Sequence, residues 1–202
     1  MILLPRNERI PLPWKNGGGT TTEIAVSPPT SAAGDFDWRV SVATIESDSV
    51  FSPFPGVDRV LMPLSPGGLV LQDAGRRHPI ARFEAFGFVG ETPIEAVDVA
   101  QRSLDLNLMT RRGIVDGAMT TTRVEGAHEF DGAADGIGLI VVLEGELRTD
   151  DGAVIGWLDA VQLDAGVTQF RGRALVAVIS LSAPAGVAGR IPARVRLLGL
   201  GS

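Results

Sequence analysis

Lys15 is the only lysine in a 202-residue chain whose other 17 basic side chains are arginines, and it stands in PWKNGGGTTTEI between Trp14 and Asn16, just ahead of three glycines. An ammonium is a compact charge with three rotatable donors and suits a small anion, where a guanidinium offers a planar fork. Two readings stay open. Asn16-Gly17 is a strong hairpin signal, which makes Lys15 a turn residue; yet Trp14, flanked by Pro13, is costly to leave in water, which argues that the segment packs on something. A second cation is unusual for its neighbours. In VDRVLMPL, strand alternation sets Arg59 on one face with Val57 and Leu61. A guanidinium on an apolar face needs an anionic partner, either a nearby Asp or Glu or a bound ligand.

Other chemistries find little support. His78 and His128 are 50 residues apart, neither has a second ligand at strand spacing, and the chain has no cysteine. Both histidines read as surface residues. No transition metal and no other cofactor is therefore expected, although a carboxylate-only site for a hard cation stays open. KNGGGTT reverses the order of a phosphate loop, which places its lysine after the glycines and opens a helix, and no Gly-x-Ser-x-Gly elbow occurs. No catalytic residue is assigned.

The elements that must position these cations read as strands. The 25 glycines and 13 prolines fall as punctuation between short apolar runs, the pattern of an all-β chain. Strands are expected at Thr20 to Val26, Trp38 to Ile45, Val57 to Leu64, Leu69 to Gln72, Ile80 to Phe86, Leu104 to Met109, Ala118 to Val124, Ile137 to Leu143, Val154 to Leu158, Ala160 to Leu163, Leu175 to Leu181 and Val195 to Leu198. No segment holds a 3.6-residue apolar stripe for three turns, so helices should be few and short. A faint repeat, VLMPLSPGGLVLQ and IVVLEGELRTDDG, runs strand, Gly-containing turn, strand, and suggests two halves. With 45% hydrophobic residues a sizeable core can form; a net charge of −6 speaks against a nucleic-acid surface. MILLPRNERI is too short and interrupted for a secretory segment, and no apolar run of about 18 residues marks a membrane helix, so no membrane association and a cytoplasmic location are expected.

VLEGELRT followed by GWLDAVQLDAG resembles the core hairpins of cupin barrels. More specifically, PWKNGGGTTTEI, FDWRVSVATIE, FSPFPGVDRVL and LDLNLMTRRG, in that order from Pro13 to Gly113, resemble the signature blocks of the HutD/Ves family. The resemblance implies a bicupin, two stacked cupin-type (RmlC-like jelly-roll) β-barrels, here 1–115 carrying the pocket motifs and 116–202, with the N-terminal segment joining the second barrel or its sheet edge. It also implies a link to bacterial histidine utilisation, in which HutD is thought to bind a pathway intermediate and restrain the pathway; no enzymatic activity is established for the family.

Carried over by resemblance, Trp14, Lys15, Asn16, Arg39, Arg59 and Arg112 line or buttress a shared pocket. Gly17 and Gly18 belong to the same site, where a residue without Cβ lets backbone N–H groups approach a ligand. An ammonium, an amide and guanidiniums together suit a small carboxylate or formyl-carrying amino-acid derivative such as N-formyl-glutamate or urocanate. Asn107 and Arg112 have a competing structural role, holding one barrel against the other. The leading functional reading is a non-catalytic small-molecule-binding regulator. The rival is a metal-free cupin isomerase, epimerase or lyase acting on a small anion, with Lys15, Glu23 or Asp58 as acid or base; a third is a scaffold whose pocket has degenerated. A homodimer is an open possibility.

Overall fold

The computed structural model describes residues 1–14, 17–28, 35–132 and 136–185. The chain divides into two compact units, one of Ile10–Arg112 and one of Met1–Arg9 with the chain from Gly113 onward. Both are β-structures. Among the described residues the one helical turn is a 3-10 turn at Arg6–Glu8, and no helix is long and apolar enough to cross a membrane.

The first strand, β1 (Ile2–Leu4), belongs with the C-terminal residues. The Ile10–Arg112 unit holds β2 (Pro11–Pro13), β3 (Gly19–Ser27), β4 (Trp38–Ile45), β5 (Ser49–Val50), β6 (Val57–Pro63), β7 (Leu69–Asp73), β8 (Arg76–Ile80), β9 (Phe86–Val89), β10 (Ile94–Val97) and β11 (Ser103–Arg111). They form a six-stranded sheet, β2-β3-β4-β11-β6-β9, and a four-stranded sheet, β5-β10-β7-β8. Ile45 and Leu61 of the larger sheet share one core with Phe51 and with Leu69, Leu71, Ile80, Ile94 and Ala96, so its inner face looks onto the smaller sheet.

Local chemistry explains the turns. Ala74 and Gly75 both take positive φ between paired Asp73 and Arg76, the geometry of a tight two-residue hairpin. The expected strand Ile80 to Phe86 does not form as one piece: Ile80 ends β8 and Phe86 begins β9. The Glu84 amide donates to the Ala81 carbonyl and its carboxylate accepts from the Ala81 amide, closing a turn that Phe83 enters with positive φ. Apolar composition alone did not reveal that break, because the turn is made by a side-chain cap rather than by Gly or Pro.

The second unit is one sheet, ordered β1-β15-β13-β16-β12, built from β12 (Asp116–Gly132), β13 (Gly136–Arg148), β14 (Val154–Ile155), β15 (Ala160–Leu163) and β16 (Gly166–Ser182), with β14 also on β13. The N-terminal segment joins it as expected, Ile2, Leu3 and Leu4 pairing with Gln162, Val161 and Ala160. Its core contains Phe130, Ile140, Val142, Phe170 and Val176. LEGELR is not the turn that the repeat suggested. β13 runs through it with a register shift between Val142 and Glu144, and Gly145 sits at φ 75° where a Cβ would lie 2.0 Å from the Arg173 carbonyl oxygen. A bulge thus takes the place of a turn. The expected strand Val195 to Leu198 lies outside the described residues.

Candidate functional site

The inner face of the six-stranded sheet carries a row structure that the register makes explicit. Met109 on β11 stands opposite both Arg39 on β4 and Arg59 on β6, and Phe88 on β9 stands opposite Arg59. The next row is Glu23, Ser41, Asn107, Leu61 and Phe86; the next holds Thr21, Ala43, Asp105 and Pro63. Side chains on one face alternate with period two, so Arg39, Arg59, Glu23, Asp105 and Asn107 all lie on the face that looks onto the smaller sheet.

Arg59 is 9% exposed. Its guanidinium carbon lies 4.8 Å from the Phe88 ring centroid, 5.3 Å from that of Phe51 and 5.6 Å from that of Phe54. One terminal nitrogen donates to the Ser52 carbonyl at 3.4 Å, while the buried Nε has no hydrogen-bond partner. Among the described residues no carboxylate comes within ion-pair distance, so the expected alternatives for its partner are not met by a direct salt bridge. Three aromatic faces stabilise a cation, but they do not replace its water: burial lowers the Arg59 pKa to about 10, offset in part by Asp105 and reinforced by Arg39.

Arg39 has a partner of its own. Its Nε lies 3.4 Å from a Glu23 carboxylate oxygen, without hydrogen-bond geometry. Burial pushes the Glu23 carboxyl up against the attraction of Arg39, and pushes Arg39 down against that of Glu23. Asp105, two residues from Asn107 on the same face, is 1% exposed; one oxygen accepts from the Asn107 amide and the other has no partner. Burial raises its pKa to about 7, although Asn107 and Arg59 both favour the ionised form. The face therefore holds two guanidiniums, one paired carboxylate and one carboxyl balanced between its charge states.

Trp14 packs beside this face. Its ring meets Phe51 edge-on at 6.4 Å, its indole N–H donates to the Thr21 hydroxyl at 2.7 Å, and its backbone N–H donates to the Gly19 carbonyl at 2.9 Å. Gly17 has φ 74° and donates to the Trp14 carbonyl, and the Gly18 carbonyl accepts from the Glu46 amide. Lys15 and Asn16 lie outside the described residues. Arg112 is elsewhere: its guanidinium bonds Asp58 at 2.7 Å and Glu91 at 3.1 Å in an exposed cluster, and its backbone N–H donates to Gly56. Asp58 adjoins Arg59 in β6 and so points to the opposite face. Asn107 and Arg112 thus find these partners within the Ile10–Arg112 unit. Of the residues read from sequence, the structure groups Trp14, Arg39 and Arg59 with Glu23 and Asn107. It adds Asp105, Phe51, Phe54 and Phe88, and the signal that could have found Asp105 was present in LDLNLM, where Asp105 and Asn107 alternate with three leucines.

The HutD family profile matches residues 6–176, which contain every one of these side chains. The chain belongs to the HutD family. It is 39% identical over 140 residues to Protein Ves of Cronobacter sakazakii, covering 68% of this chain and 74% of that protein, and 43% identical over 101 residues to Protein Ves of Citrobacter koseri, covering 49% and 52%. Among solved structures, HutD from Pseudomonas fluorescens SBW25, obtained in a formate condition, superposes with a TM-score of 0.76 at 26% identity, covering 90% of this chain and 97% of that one. A cupin 2 conserved barrel protein from Leptotrichia buccalis matches at a TM-score of 0.54 and 10% identity over 82% of this chain and 88% of its own, a likeness of fold alone. This HutD-family chain thus has a cupin-like, all-β architecture.

Proposed function

We propose that this protein binds a small anionic metabolite, a carboxylate or formyl-carrying amino-acid derivative, without transforming it, and that binding serves to regulate histidine utilisation. The observation that carries the reading is Arg59: a guanidinium nine-tenths buried, ringed by three phenylalanines, with an unpartnered Nε and no carboxylate in ion-pair contact among the described residues. A buried charge without a partner is costly, and a ligand carboxylate is the group that would offset that cost. The pathway assignment rests on family membership. On this reading the scaffold is a bicupin whose N-terminal part, 1–115, carries the pocket. Trp14 and Arg39 belong to the site of Arg59, and Lys15, Asn16, Gly17 and Gly18 are assigned to the same site on the family resemblance.

The enzyme reading keeps one observation in its favour, the raised carboxyls of Glu23 and Asp105 on the same face. Calorimetric titration with N-formyl-glutamate, glutamate and urocanate, followed by chromatography of the incubated ligands, separates the two. Binding of one of them without conversion is the expected result. Arg59→Ala and Lys15→Ala should each weaken it by about 2–5 kcal/mol, roughly 30-fold to several-thousand-fold. Unchanged affinity in Arg59→Ala refutes the site, and turnover of a bound ligand refutes the non-catalytic reading.

A further inference from the structure

Among the described residues of the Ile10–Arg112 unit, Asp105 is the one carboxyl group buried to 1% exposure, and one of its oxygens has no hydrogen-bond partner. Among the described residues the charged and titratable groups that share its surroundings are few. Arg59 on β6 and Arg39 on β4 lie on the same face two rows along, Asp105 itself standing opposite Pro63 and Ala43; Glu23, on β3, is committed to Arg39; His78, paired with Leu71 on the inner side of the smaller sheet, has its ring 5.2 Å from Phe86. Of these, Arg59 is the cation whose charge acts on Asp105, and Asp105 is the anion that most offsets the burial of Arg59. The two are coupled without touching as an ion pair.

A carboxylate docked on Arg59 changes that balance. Among the described residues Arg59 is then the one guanidinium left to two carboxylates in a medium of low dielectric, Arg39 being held by Glu23, and like charges in one buried site do not both stay ionised. The docked ligand is held at the cation, so the group that gives way is the one with no direct salt bridge. We propose that Asp105 is the proton-accepting partner of the anion site: when a carboxylate ligand binds Arg59, Asp105 takes one proton from solvent, and the site receives its ligand as an anion together with a proton. No covalent bond changes apart from the new O–H on Asp105, and charge balances as one anion and one proton enter together. The inference deepens the anion-binding function proposed above and rests on it. Asp105 titrates near 7 in the empty site, so the proton must be supplied from solution only above about neutral pH.

The test is calorimetric titration of the full chain with N-formyl-glutamate in two buffers of equal pH and different ionisation enthalpy, repeated across a pH series. N-formyl-glutamate has no group of its own that titrates near neutrality. The expected result is uptake approaching one proton per ligand above about pH 7, with affinity falling roughly tenfold for each pH unit above that point and levelling off below it. Asp105→Asn, which keeps an acceptor for Asn107 and cannot titrate, should flatten the pH profile and remove the uptake, while His78→Gln should leave both in place. Difference infrared spectroscopy of the wild type should show a protonated carboxyl appearing with ligand at alkaline pH, a readout that does not depend on any variant folding. Binding without proton uptake, or uptake that persists in Asp105→Asn, overturns the proposal and leaves the anion site standing; failure of the wild type to bind at any pH overturns the anion site as well.

Discussion

Asp105→Asn also makes a prediction about the unliganded protein, independent of any ligand. The carboxyl titrates at about 7 in the folded chain and near 4 when unfolded, because burial disfavours its charge more than Asn107 and Arg59 favour it. Between those two values the folded state holds a proton that the unfolded state has released. Stability contributed by Asp105 is therefore full below the unfolded pKa and declines as pH rises, by roughly 4 kcal/mol in total once pH passes about 7. Asparagine removes this decline. It also places an amide N–H₂ where the orphan carboxyl oxygen stood, at a cost of about 1–3 kcal/mol if no partner is found. The variant should be less stable than wild type near pH 4 and more stable, by about 1–3 kcal/mol, at pH 8 and above. Glu23, raised in the same direction, is present in both proteins and cancels in the difference. Denaturant unfolding of the two proteins across this pH range is the assay. A stability difference that does not change with pH, or that moves the opposite way, would refute the placement of a titrating carboxyl in this interior.

Gly19→Ala puts a Cβ 2.1 Å from the Thr44 carbonyl oxygen and 3.2 Å from the Trp14 ring, and should cost about 3 kcal/mol in a denaturant melt while disturbing tryptophan fluorescence. Trp14→Phe keeps the contact with Phe51 but loses the indole bond to Thr21, an expected loss of about 1 kcal/mol by the same measurement. Ala74→Asn suits the positive φ of the β7–β8 turn and should raise stability by about 0.5–1 kcal/mol, read as a higher melting temperature. Arg112→Ala removes only exposed ion pairs with Asp58 and Glu91, so titration with N-formyl-glutamate should give wild-type affinity; a loss comparable to that of Arg59→Ala would return Arg112 to the ligand.

What the sequence alone determined was the class of fold and the identity of the family. Short apolar runs punctuated by Gly and Pro allowed only strands, and Trp38 to Ile45 and Ala160 to Leu163 were legible to the residue because their ends carry local signals. Alternation likewise placed Arg59 on the face of Val57 and Leu61, since the side-chain period of a strand is a property of the backbone. Tertiary structure decided the rest. That Arg59 and Arg39 flank the same Met109 is a matter of register between strands distant in sequence, and no local pattern encodes it. Pairing of the first strand with β15, more than 150 residues away, is decided by which sheet edge is free. Most of all, only the packed interior shows that Arg59 is caged by three phenylalanines and shares its face with a buried carboxyl it does not touch. The alternation in LDLNLM sets Asp105 on one face with Asn107; burial on a face already holding two cations makes its charge conditional.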